Sequence, residues 1–169
     1  FIALVPLFWL EATSQTTSRF FWLLWCSLLL WNIATTWWIW NASPEGAVGA
    51  IFANSLLMCF PWMLYRWTKR VSGFVPALVA FTCYWVTWEY IHHNWDLSWP
   101  WLTLGNVFAT HPNWVQWYEW TGTTGGSIWV LAVNILFFTA LQPTLIPSEE
   151  YNTKAWLPRL LPAVLTLAI

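Results

Sequence analysis

Apolar residues fall in long unbroken runs along this chain, and polar residues collect between them. A helix needs roughly 20 mostly apolar residues to cross the hydrocarbon of a bilayer, because that layer is about 30 Å thick and a helix rises about 1.5 Å per residue. Residues 20–40, 47–67, 74–93 and 125–141 reach or approach that length. Residues 1–10 read as the tail of an earlier span and 157–169 as the start of a later one. The runs are continuous, without the period-2 alternation of barrel strands, so they are helices whose backbone bonds close internally. Proline and glycine punctuate the joints at 41–46, 72–76 and 142–147. No internal repeat or low-complexity tract is visible. The expected fold class is all-α, a polytopic transmembrane helix bundle. Residues 1–169 form one transmembrane domain fragment, with residues 94–124 as a long segment outside the spans.

Composition names the solvent. Hydrophobic residues make up 59% of the chain and charged residues 8%, against about 25% charged in a soluble domain. Nineteen tryptophans exceed what a core needs, but indole collects where hydrocarbon meets headgroups. A net charge of −1 offers no clustered basic face for phosphates, so no nucleic-acid partner is expected. Cys26, Cys59 and Cys83 sit inside apolar runs, where a thiol behaves as a small hydrophobe; neither a disulfide nor a catalytic thiol is expected of them. The chain opens and closes within apolar stretches, so further sequence is expected before Phe1 and after Ile169.

The few charges set an orientation. Arg19 precedes the first full span, Arg66, Lys69 and Arg70 follow the second, and Lys154 and Arg159 follow the fourth. Alternating crossings put these three loops on one face, and the other two loops hold no Lys or Arg. The positive-inside bias makes the basic face cytoplasmic and residues 94–124 external.

Candidate chemistry concentrates in EYIHHNWDLSWPWLTLGN, residues 89–106. A helix continuing past Ile91 would put Glu89, His92, His93 and Asp96 on one face. Imidazole and carboxylate bind metals, but His92 and His93 diverge by roughly 100° and no further Cys or His lies nearby, so no metal is expected. Glu89 has two readings: an interfacial carboxylate bonded to His93, or a pocket residue, since a carboxylate at a span end must face a partner or a cavity. Residues 98–106 are apolar but broken by Pro100 and Gly105, which suits a short element in the interface. Trp99 to Asn106 then either wall a lipid-facing chamber or form an aromatic belt. Gly122 and Gly126, four apart, read as a helix-packing pair. Glu119 is a solvated loop charge or a group at a pocket mouth. No nucleophile elbow, phosphate loop or zinc-protease motif is present, and no cofactor is expected.

Three places in the sequence resemble the membrane part of the bacterial apolipoprotein N-acyltransferase family. They are Trp88 and Glu89 near the outer end of a span; Trp99, Pro100, Trp101, Leu104 and Gly105; and the Gly122-x-x-Gly125 entry to the next helix. TTWWIW, residues 35–40, matches the aromatic end of an earlier span. The resemblance implies a multispanning inner-membrane enzyme with a nitrilase-like domain on the outer face. It also implies a Glu-Lys-Cys triad that passes a phospholipid acyl chain through a thioester to the diacylglyceryl-cysteine of an apolipoprotein. No catalytic residue is expected within this stretch, and the fragment alone is expected to be inactive. Glu89, Trp99, Trp101, Gly105 and Glu119 are the candidate lipid- or substrate-binding residues. The partners so implied are a phospholipid acyl donor, the diacylglyceryl apolipoprotein acceptor and membrane lipids. The alternative from another class is a non-enzymatic multispanning transporter or scaffold with a polar path near Glu89.

Overall fold

The computed structural model describes residues 2–96 and 98–145. The predicted partial span 157–169, with Lys154 and Arg159, lies outside the described residues. Five α-helices are present: α1 (Val5–Thr13), α2 (Thr17–Thr36), α3 (Pro44–Ser72), α4 (Phe74–His93) and α5 (Tyr118–Leu145). Short 3-10 turns cover Trp37–Asn41, Pro100–Leu102, Leu104–Phe108 and Pro112–Trp114. There is no strand among the described residues, and the regions of α2 to α5 are long and apolar enough to cross a membrane. The fold is all-α and polytopic.

Helix ends overrun the apolar runs, because apolarity marks the hydrocarbon slab and helices continue past it. α3 starts at Pro44, not at 47, because the Ser43 side chain accepts the Gly46 N–H and Pro44 is preset for the first turn. At its other end Lys69 and Arg70 sit where the helix dipole favours cations. Gly73 ends it with φ +88, a conformation that a Cβ resists. α4 begins at the next residue, so α3 and α4 form an antiparallel hairpin about one glycine. The Thr16 side chain caps α2 by accepting the Arg19 N–H at 3.2 Å. α5 starts at Tyr118 and not at 125, with a break at Gly122, where φ is +62.

The chain divides into two compact units, residues 14–102 and residues 1–13 with 103–169. In the first, α3 packs against both α2 and α4. Its core is aromatic: Trp62 lies 4.5 Å from Phe81 and 6.5 Å from Trp85, and Tyr65 lies 5.5 Å from Phe81. At the basic end Arg66 is buried, donates to the Ser14 carbonyl at 2.8 Å and lies over the Phe20 ring. In the second unit α1 packs on α5, with Phe8 and Phe138 stacked at 5.3 Å. The Asn134 side chain accepts the Leu4 N–H at 2.8 Å.

Candidate functional site

Hairpin symmetry fixes the depth of the polar groups in the first unit. Asn54 and His92 each lie nineteen residues from Gly73, about 28 Å along the helices. They therefore meet level with one another, towards the end of the hairpin opposite Arg66, Lys69 and Arg70. The meeting is a hydrogen bond, with His92 Nε2 and Asn54 Oδ1 3.0 Å apart. Asn54 Nδ2 donates to Asn32 Oδ1 at 2.7 Å, and Asn32 Nδ2 donates to the Leu28 carbonyl at 2.9 Å. With Asn54 Oδ1 fixed as an acceptor, the ring nitrogen facing it is the donor. The chain of bonds crosses α4, α3 and α2, and all three side chains are buried. Sequence reasoning missed Asn32 and Asn54 because it followed ionisable groups. Two amides inside apolar runs were the available signal, since such residues bond across helices in membranes.

A cavity of about 470 Å³ opens beside this network. Its α3 wall is Gly46, Gly49, Ala50, Ala53, Asn54 and Leu57, and the opposing wall is His92, Trp95, Asp96, Ser98 and Trp99. The small residues on α3 make the room. The opposing wall forms because α4 stops at His93 and the chain turns back, with the Trp99 N–H reaching the His92 carbonyl at 3.3 Å. Asp96 thereby leaves the helical face that Glu89 and His92 share. The His92 ring stacks on Trp88 at 4.9 Å and lies 5.3 Å from Trp95. A second cavity of about 400 Å³ lies between α2 and α3, lined almost wholly by apolar groups such as Ile33, Trp37, Ile51 and Phe52.

The candidate residues separate into two groups. Glu89 is buried one turn below His92 and accepts the Trp85 indole N–H at 3.0 Å. Trp99 lines the larger cavity, and its indole nitrogen is buried with no acceptor among the described residues. Trp101 is exposed and meets Trp38 edge-on at 5.2 Å. These three belong to the first unit. Gly105 and Glu119 belong to the second unit. The Gly105 N–H donates to Ser127 Oγ at 3.0 Å, and its carbonyl accepts from the Tyr118 hydroxyl at 2.8 Å. A Cβ on Gly105 would overlap the Thr123 carbonyl, and one on Gly126 would overlap the Tyr118 hydroxyl and crowd Gly105. Gly126 thus admits a close backbone neighbour, but that neighbour is the 3-10 turn at Gly105. Gly122 is no part of that contact, because nothing lies near its missing Cβ, and its place is the break in α5. Glu119 is exposed in the first turn of α5. Among the described residues no cluster of His, Cys, Asp and Glu could hold a metal.

The spans, the buried amide chain and the cleft beside it define a multispanning helical membrane protein with a pocket at the end of the α3–α4 hairpin opposite Gly73. The family described as apolipoprotein N-acyltransferase N-terminal domain matches residues 1–136, and the chain belongs to it. The apolipoprotein N-acyltransferase of Chlorobaculum tepidum is 35% identical over 135 residues, covering 80% of this chain and 25% of that protein. The chain thus spans about a quarter of the length of the curated relative it matches. No solved structure matches it.

Proposed function

We propose that this chain is the membrane part of an acyltransferase of lipoprotein maturation. The enzyme moves a phospholipid acyl chain to the N-terminal diacylglyceryl-cysteine of an apolipoprotein. The observation that carries the reading is the family match over residues 1–136. The cleft supports it, because a lipid-handling enzyme needs a pocket where headgroups and acyl chains meet. In this reading Trp99 and Trp101 lie along bound lipid, and Glu89 supports the cleft from one turn below. Gly105 and Glu119 contribute lipid- or substrate-binding surface in the second unit. The nucleophile and its base belong to a nitrilase-like catalytic part not found in these residues. The protein sits in the bacterial inner membrane with Arg66, Lys69 and Arg70 cytoplasmic and the cleft outside. Depleting the native gene product tests this. Lipoproteins lacking the N-linked acyl chain should accumulate, as read by mass spectrometry of their N-terminal peptides. Full N-acylation after complete depletion would overturn the reading.

A further inference from the structure

In the second unit α1 and α5 run parallel. The Leu4 N–H meets the Asn134 side chain and, four residues on along both helices, Phe8 stacks on Phe138. The same register brings Gln142 level with Ala12, one residue past Glu11, which is buried on the face of α1 that carries Leu4 and Phe8. Three of the buried polar side chains of α5 have partners. Ser127 accepts the Gly105 N–H, Asn134 bonds to Leu4 and to the Val130 carbonyl, and Thr139 donates to the Leu136 carbonyl. Gln142 differs: it is 1% exposed, and neither its Oε1 nor its Nε2 has a partner among the described residues. A buried amide in a membrane bonds across to another helix, because nothing apolar replaces the water it gave up. It needs one donor and one acceptor at its own level, and the Glu11 carboxylate nearby favours a cation as the donor.

The chain carries that pair of groups just beyond α5. Residues 157–169 are the expected next span, and residues 146–156 alone separate it from the end of α5 at Leu145. Helices so connected pack as antiparallel neighbours. Gln142 lies three residues before the end of α5, so it is level with a residue near 160 of a span that begins at 157. Arg159 stands there, the one ionisable residue in 157–169, and its guanidinium is a donor. Pro162 provides the acceptor: it lacks an N–H, which leaves the carbonyl of Pro158, four residues earlier, without a helical partner. We propose that Gln142 is the docking point of this span on α5, with Oε1 accepting from Arg159 and Nε2 donating to the Pro158 carbonyl. This interlock holds the bundle together whatever reaction the protein performs.

The test uses the complete native protein in mixed micelles, with reversible unfolding of the wild type, Gln142→Leu, Arg159→Met and the double variant. Arg159→Met should destabilise the wild type and change little once Gln142→Leu is in place. The coupling between the two positions should be about threefold to about eighteenfold in the unfolding equilibrium constant, the range of interhelical hydrogen bonds in membranes. Gln142→Glu trades the amide donor for a charge of nearly the same shape. It should stay close to wild-type stability beside Arg159 and become the least stable of the set when combined with Arg159→Met. Additive losses in both cycles overturn the proposal. A second measurement names the occupant without touching the amide. A benzophenone side chain placed at the neighbouring exposed Leu141 should, on irradiation, cross-link within one chain to residues 155–163, as read by mass spectrometry of the joined peptides. No cross-link to that stretch, a cross-link to any other span, or one to a second copy overturns the proposal.

Discussion

Replacing Asn54 by Ala removes the middle member of the chain linking His92, Asn54 and Asn32. Asn54 is 2% exposed, and the substitution deletes its hydrogen bonds to His92 and Asn32, at 3.0 and 2.7 Å, with a weaker one to the Met58 sulfur at 3.6 Å. In a water-soluble core each stranded partner would cost about 1–3 kcal/mol. Interhelical bonds in a bilayer measure less, about 0.6 kcal/mol on average and about 1.7 at most, because helices separated within the membrane find other partners. The membrane figure governs, since unfolding here leaves the spans in lipid or detergent. Asn54→Ala should therefore cost about 1–3 kcal/mol. The assay is reversible unfolding in mixed micelles of the wild type, Asn54→Ala, Asn32→Ala and the double variant. The two single losses should overlap, with a coupling of about 0.6 kcal/mol and up to about 1.7. Additivity within about 0.3 kcal/mol would show that no bond joins the two amides.

Gly105→Ala should destabilise by about 1–3 kcal/mol, the cost of overpacking, because the new methyl overlaps the Thr123 carbonyl; an unchanged thermal midpoint would refute the close approach. For orientation, single cysteines at the exposed positions Ser72 and Asn113 in a cysteine-free background should react differently with an impermeant maleimide in intact cells. Asn113→Cys should label and Ser72→Cys should not, and the reverse pattern overturns the proposed sidedness. Glu89→Gln and Trp101→Ala should each lower acyl transfer in the native enzyme without unfolding it, Trp101→Ala by removing a large exposed ring that can lie on an acyl chain. Wild-type rates of thioester formation and transfer in both would return these residues to a purely structural role.

Much of the fold was legible because bilayer thickness imposes a length on every span. The runs at 20–40 and 74–93 became α2, with the turn after it, and α4. Helix caps were harder to read, since Ser43 and Pro44 extend α3 into polar sequence that the apolar count leaves out. Residues 98–106 were legible as a short element from Pro100 and Gly105, and the 3-10 turns Pro100–Leu102 and Leu104–Phe108 form there. The break at Gly122 was not, because small residues four apart signal helix packing and a positive φ equally well. The site was half legible. Residues from His92 to Trp99 border the cleft, Glu89 does not line it, and its opposite wall is Gly46 to Leu57, about forty residues earlier. That wall is set by the hairpin at Gly73, and local spacing carries no mark of which residues a hairpin brings level.

The unequal lengths of the paired helices have a kinetic consequence. Symmetry about Gly73 brings Ala53 level with His93, where α4 stops, so residues 44–52 of α3 run about 13 Å past the end of α4. At 29 residues, or about 43 Å, α3 matches a bilayer with its headgroup layers, whereas the 20 residues of α4 match the hydrocarbon slab alone. The cleft stands against that overhang. In the lipid-binding reading proposed above, such a slot is filled sideways, by diffusion in the plane of the leaflet, and its occupancy follows the mole fraction of lipid in the surface and not any aqueous concentration. On that reading, diluting a bound lipid with inert lipid at constant total amount should empty the cleft as strongly as removing it.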